Sequence, residues 1–431
     1  MKIKQVYSFI NSAISQLQGF EDISVQNAAD LVSLGELVLS SDKNNENFWG
    51  TVCDVLGKDV ISNRAHTPRD KSLLMDGFTF GAVLRKLYVA PIDAQEAAHW
   101  DVTDGDKTDI HIVKPTVKQK LFSGITTWEL DTAIPDKQAD SAFHNPSELA
   151  ALISAIYTEL DSSMAQAIET MINTVYATAI ANRLIYQTNP ELVSRTIDRT
   201  LVVDLRVAYN TFYGLTSTDA GYLGTAGDCN RSAAFLRFAG QTIRDYAKYF
   251  RERSTMFSMP DVVYDAIEED YVESPYVRET PKSLLRLSVI ADWASSFNTN
   301  LQSDVLHNEL TALPGYTEVA YWQGFGEAFS GTRKIAIKAD TLYTDDGSKK
   351  TYKVEQDGVI AILWDAESMG VTIDNQRLKS VYDTRHEVTA LYNKADKGFY
   401  VDPSENCVVF VVAGKVEGAV DTSLNTPTEV V

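Results

Sequence analysis

The sequence predicts an α+β protein on three observations. One unbroken helix is written between residues 145 and 186, roughly 40 residues or about 60 Å at 1.5 Å per residue. A strand-rich stretch from 75 to 134 precedes it, and mixed helices and strands follow it, closing in strands up to residue 413. Globular helices usually stop at three or four turns. A helix this long is a strut and points to a protein whose product is a shape.

Residues 1–74 divide into amphipathic helical pieces at 6–17, 25–39 and 48–61, separated by polar breaks such as Ser41 to Asn45. They form an arm more than a domain. Strand patterning begins near residue 75, with runs at 78–90, 110–113, 117–122 and 125–130 around a polar, turn-forming segment at 103–109. The best single account is an extended β-ribbon, assigned to 75–133. An isolated ribbon is only marginally stable in water, so it needs a surface, and a neighbouring subunit supplies one. An ordinary hairpin packed inside its own domain is the other reading.

The strut itself is well signalled. Asn145 suits the N-cap, Pro146 sits where its missing N–H is harmless, and Glu148 falls three residues after the cap. Leu149, Ile153, Ile156 and Leu160 open an apolar stripe that continues through Met164, Ile168, Ile172 and Val175 with helical spacing. Asn189 before Pro190 ends the run. The stripe drifts and is rich in Ala and Met, unlike a strict 3.5-residue coiled-coil repeat. It predicts a helix lying across a sheet or small core of its own chain.

Beyond it, a strand at 199–204, a Gly-x-x-Gly-x-x-Gly loop at 221–227, a helix at 231–253, a buried strand at 283–292, a helix at 294–310 and a strand at 318–324 are expected. The glycine spacing matches no nucleotide-binding fingerprint. A hairpin follows at 332–357, turning at Asp345-Asp346-Gly347. Then come a core strand at 359–364, one helical turn at 366–369, and closing strands at 370–373, 380–384, 388–393, 399–401 and 407–413. The polar tail after Gly414 is expected to be loose.

Composition excludes several classes. The apolar fraction of 44% is that of a folded chain. No apolar run approaches the roughly 18 residues that span a bilayer, and the first residues lack a signal-peptide core. Net charge is −20, which disfavours tight binding of nucleic acid. Cys53, Cys229 and Cys407 are far apart and make no zinc spacing, so reduced thiols are expected. None of the six histidines stands in a metal or nucleophile motif. Trp322, Phe325 and Trp364 could line a platform for a sugar or base, but aromatic residues flanking strands are usually core. No catalytic, cofactor or metal residue is expected.

The order of parts carries more than any single motif. Lys118 to Gly124 leading to Ile134, Pro146 to Asn182, Val359 to Gly370, the strand near Val381 and the run from Asn393 to Phe410 together resemble the major capsid proteins of tailed bacteriophages, in particular those of small short-tailed phages. The resemblance covers most of residues 50–413. It implies an N-terminal arm (1–74), an extended loop (75–133), a peripheral domain (134–215) with a spine helix at 146–186, an axial domain (216–385), and a return to the periphery (386–431). It implies pentamers and hexamers closing into an icosahedral head around double-stranded DNA, with portal and scaffolding partners, no cofactor and no membrane. The virion would be assembled in the host bacterial cytoplasm. Structural or interface roles are expected for Asn145, Pro146, Leu149, Ile153, Ile156 and Leu160 of the strut and for Arg85, Lys86 and Trp128 of the ribbon region. The hairpin at 332–357 looks like an insertion, no immunoglobulin-like domain is seen after Gly414, no fused scaffold is seen before the arm, and no self-crosslinking trio can be placed. The alternatives are an encapsulin-like bacterial compartment shell and, from another class, a multidomain enzyme or carbohydrate-binding protein.

Overall fold

The computed structural model describes residues 10–12, 14–15, 24–38, 51, 73, 83–89, 117–123, 126–135, 146–189, 199–259, 262–265, 270–273, 277–303, 316–323, 333–340, 350–383, 385–386, 388–412 and 424–430. In the arm, α1 (Ala28–Val38) buries Leu31, Leu34 and Val38, and Ile10, Ile14 and Val25 are buried with them. The Asn11 side chain bonds both backbone groups of Val25, tying the two helical pieces together. The third expected piece, at 48–61, lies outside the described residues apart from Thr51.

The ribbon consists of β1 (Val83–Val89) and β2 (Val117–Ser123), antiparallel from Val83 opposite Ser123 to Val89 opposite Val117. The expected tip and the run at 110–113 lie outside the described residues. β3 (Thr126–Pro135), expected within the extended loop, instead pairs elsewhere. The strut is α2 (Pro146–Thr188), 43 residues long. The turn before it, with Asn145, is outside the described residues, as are the side chains of its first two-fifths.

Then follow β4 (Val202–Asp204), α3 (Leu205–Phe212), α4 (Ala226–Arg231) and α5 (Ala233–Tyr249). Their starts are chemically marked. The Asp204 carboxylate accepts from Arg206 N and Val207 N, Thr225 and Asp228 form a reciprocal capping box, and Ser232 accepts from Phe235 N. The glycine-spaced loop therefore ends in a capped helix start, with Gly227 inside α4. A small hairpin, β5 (Val262–Asp265) and β6 (Asp270–Glu273), precedes β7 (Leu285–Ile290), α6 (Ala291–Ser303) and β8 (Tyr316–Val319). The chain closes with β9 (Ile335–Asp340), β10 (Thr351–Gln356), β11 (Val359–Asp365), β12 (Met369–Asp383), β13 (Val388–Val401), β14 (Cys407–Val411) and β15 (Thr428–Glu429). Gly358, at φ 72°, makes the turn between β10 and β11 that a side chain would strain.

A five-stranded sheet in the order β4-β14-β11-β7-β8 is the centre of the molecule. Phe410 of β14 packs on Tyr246 of α5, while Trp364 of β11 packs on Tyr176 of α2. Phe410 pairs with Ala361, three residues from Trp364, so the two aromatic rings point to opposite faces. Helices thus cover both faces, and β11 and β14 are buried at every position. β10, covered on one side, alternates instead. The second sheet, β12-β13-β3, is antiparallel throughout. α2 packs on both sheets and on β9 and β10. Its stripe, through Met164, Ile168, Ile172, Val175 and Ile180, is buried within its own chain.

Several local expectations are corrected. The strand at 283–292 is shorter because α6 begins at Ala291, which puts Asp292 in a helical first turn, where its charge suits the dipole. The helix expected at 294–310 therefore starts earlier, and residues 304–310 lie outside the described set. The strand at 318–324 stops at Val319, since Trp322 turns inward to donate to the Val359 carbonyl. The helical turn at 366–369 is a tight turn closed by Asp365, whose carboxylate accepts from Glu367 N. The short closing strands merge into two long ones, β12 and β13, which pair along their whole length apart from one bulge. The tail is not wholly loose: β15 adds to the edge of β10, and Val430 N donates to the Thr351 carbonyl.

Candidate functional site

The loop from Asp402 to Asn406, between β13 and β14, gathers the strut, the ribbon and the central sheet. Asp402, Ser404, Glu405 and Asn406 are buried polar residues, and buried polar groups demand partners. Arg183, near the end of α2, donates to the carbonyls of Pro403 and Glu405 at 2.5 and 2.9 Å. Arg278 donates to the Ser404 carbonyl and lies 3.5 Å from the Glu405 carboxylate. The ribbon contributes Lys86, whose Nζ sits 2.7 Å from Glu405 Oε1, 3.1 Å from Asp402 Oδ2 and 3.0 Å from the Glu367 carbonyl. Phe122 of β2 adds a ring contact with Tyr400 at 5.1 Å.

Beneath this layer lies Asp365. Its carboxylate accepts from Thr280 Oγ1 at 2.8 Å, and Thr280 accepts in turn from Asn406 Nδ2. Three carboxylates (Glu367, Asp402 and Glu405) thus meet Lys86, Glu405 also meets Arg278, and Arg183 holds the loop through its backbone carbonyls. Burial pushes the Glu405 carboxyl up, further than Lys86 and Arg278 pull it down. Burial likewise raises Asp365, and it raises the Tyr400 phenol beside Asp402 and Glu367. Nothing in this arrangement resembles a nucleophile with its base. It is a joint that fixes the ribbon base to the strut and sheet.

The sequence-expected residues fall as follows. Lys86 is in the joint. Trp128, in β3, is half-buried against the core, with Lys397 Nζ 5.1 Å above its ring. Pro146 is the first residue of α2. Leu149, Ile153, Ile156 and Leu160 lie in α2 and Arg85 in β1 opposite Leu121, with side chains outside the described set, as is Asn145. The structure brings Lys86 together with Arg183, Arg278, Asp402 and Glu405, none of which sequence reasoning selected. One signal was available: Asn182 and Arg183 interrupt an otherwise apolar stretch from Ala179 to Tyr186. Trp322 and Trp364 are fully buried with both indole N–H groups bonded inside the core, so neither forms a platform. Cys229 and Cys407 are free and buried. Among the described residues no group of His, Cys, Asp and Glu could hold a metal ion, and no helix is long and apolar enough to cross a membrane.

No curated protein matches the chain. Solved structures similar to it include a capsid structure of Staphylococcus phage Andhra (10% identity, TM-score 0.47, covering 81% of this chain and 85% of the other). A structure of the head fiber and inner core protein of native bacteriophage P68 is similar at 8% identity, TM-score 0.49, and 81% and 85% coverage. The capsid structure of cyanophage P-SCSP1u is similar at 10% identity, TM-score 0.39, and 80% and 87% coverage. Residues 7–411 match the family model of the Phi29-like phage major capsid protein. That match spans nearly the whole chain, through arm, ribbon, strut and both sheets, and so the protein belongs to the Phi29-like phage major capsid protein family, a structural component of the capsid and not an enzyme.

Proposed function

We propose that copies of this capsid protein assemble as pentamers and hexamers into an icosahedral head around double-stranded DNA. The observation that carries the reading is the family match over residues 7–411. The 43-residue strut held on its own chain's sheets supports it, because a tile in a stressed shell needs a rigid spine. The ribbon, two-stranded among the described residues, gains a surface by lying across a neighbouring subunit. Many modest repeated contacts then give a stable shell by multivalency.

In this reading 1–74 is the arm and 75–133 the extended loop, with β1 and β2 as its ribbon. The peripheral domain takes 134–215 and 386–431, and the axial domain 216–385, gathered around the five-fold and six-fold axes. Assembly takes place in the host bacterial cytoplasm with scaffolding and portal proteins. The net charge of −20 supports an acidic inner wall that leaves packaged DNA mobile without binding its sequence. Electron microscopy of the expressed protein, alone and with its scaffolding partner, tests the reading. Closed shells or capsomers of five and six copies are expected. Monomers under all conditions would sink it, and a basic inner face in a map would remove the mobile-DNA element.

A further inference from the structure

Residues 424–430 lie beyond the stretch that matches the family model, yet they are docked. β15 extends the β9–β10 hairpin by one strand, with Thr428 opposite Lys353 and Glu429 opposite Tyr352. The Val430 N–H donates to the Thr351 carbonyl at 2.8 Å. The Asn425 side chain donates to the Glu355 carbonyl at 2.8 Å, and its backbone N–H donates to Gln356 Oε1 at 2.8 Å. Thr351 and Glu355 are four residues apart, so both carbonyls point off the same edge of β10. Leu424 packs on the rim of the core, Pro427 is buried, and the Glu429 carboxylate lies 3.4 Å from Lys350 Nζ. Main-chain pairing backed by side-chain anchors is how an exposed sheet edge receives an extended peptide.

Without this segment β10 is an edge strand of six residues, whose unpaired N–H and C=O groups are a template for another chain. Its other side is paired with β9 along its whole length. Tyr352 and Val354 hold one face of β10 in the core, so the strand stays in place when its edge is uncovered. Docking replaces that edge by a strand of two residues, Thr428 and Glu429. Pro427 before it has no N–H to offer, and Glu429 carries a charge, both of which discourage further pairing.

The connection leaves the segment free to come off. The Val412 N–H donates to the Gly358 carbonyl at 2.7 Å, so the chain departs from beside Gly358 and returns beside Gln356, only two positions away. Eleven residues, 413–423, join these anchors, with a reach of up to about 36 Å. The segment can therefore leave and return without disturbing β14. We propose that residues 424–430 are a detachable strap that closes the strand-receiving edge of β10, and that with the strap displaced this edge pairs with the β10 edge of a second copy. Such pairing is self-complementary across a two-fold axis. The strap keeps copies of the chain from meeting through β10, and this role stands apart from the shell reading.

The test uses the full chain, below the concentration at which it assembles, and a fluorescent synthetic peptide of residues 424–431. Asn425→Asp removes the donor to Glu355, and Val430→Pro removes the N–H to Thr351. Chain carrying both substitutions should bind the peptide at least tenfold more tightly than ordinary chain, whose edge is occupied. It should sediment as a dimer, and excess peptide should return it to the sedimentation of ordinary chain. A folded double variant that binds the peptide no better than ordinary chain, or that sediments as ordinary chain does, overturns the proposal. Hydrogen exchange of ordinary chain decides the matter even where the double variant does not fold. Residues 424–431 should exchange at least tenfold more slowly than in the free peptide and at least a hundredfold faster than β11. No protection there, or protection equal to that of β11, overturns the strap, and none of these results bears on the shell reading.

Discussion

Replacing Lys86 with Met keeps the length of the side chain and removes the charge from the joint. Asp402 is then left with no side-chain exposure and Glu405 with 9%. Each lost contact, at 3.1 and 2.7 Å, carries roughly 5 kcal/mol of gross attraction at an effective dielectric of about 20. Desolvation offsets most of that, and removing one partner of a buried pair costs about 3–5 kcal/mol. Lys86 keeps 14% side-chain exposure and Glu405 keeps Arg278, which places the loss at the lower end, about 3 kcal/mol. Urea unfolding followed by tryptophan fluorescence measures it at pH 7 and pH 3. At pH 3, below the raised Glu405 value, that carboxyl is protonated, its orphaned charge vanishes, and the difference between variant and wild type should shrink. A loss under about 1 kcal/mol at pH 7, or the same loss at both pH values, would refute the reasoning.

Glu405 and Asp365 ionise above their ordinary range in the folded protein, so the native state holds protons that the unfolded chain releases. Their contribution to stability is full below about pH 4 and is lost as pH rises through the raised values. Glu405→Gln should flatten that decline, and an unchanged pH slope would count against it. Ile180 is fully buried in the strut's core face, so Ile180→Ala should destabilise by about 2–5 kcal/mol, whereas Ser162→Ala on the exposed face should change stability by less than about 0.5 kcal/mol. The Cys229 thiol is pushed up to about 12 by burial and Cys407 is raised likewise. Peptide mass spectrometry after iodoacetamide at pH 8 should find both unmodified in native protein and both alkylated in urea, and alkylation of either in the native state would show that its burial is wrong.

The strut was legible because everything that makes it is local: a proline at the first helical position, a 3.6-residue stripe, and a proline stop. The core strands β11 and β14 were legible because a strand covered on both faces is apolar at every position. The length of β13 was not. Its middle, Asn393 to Gly398, reads as a polar loop, yet it stays in the sheet because Lys394 pairs with Glu129, and Asp396 with Arg377 and Thr127, across neighbouring strands. Those partners are up to 269 residues away in sequence. The joint was hidden for the same reason: Lys86 meets Asp402 and Glu405 across 316 and 319 residues. On its own, Asp402 to Asn406 looks like any polar turn. Resemblance to a family could supply the strut's role, but only the fold could bring three cations to one loop.

The central claim is that the strut is the spine of a shell tile, packed on its own chain and repeated around closed symmetry. A three-dimensional electron cryomicroscopy map of the assembled particle tests it most directly. The account predicts a closed shell in which every copy lays the α2 face bearing Ile168, Ile172 and Val175 against its own β12–β13 and central sheets. A map in which that face pairs with the same helix of a second copy, or in which the chains form no closed shell, would contradict it.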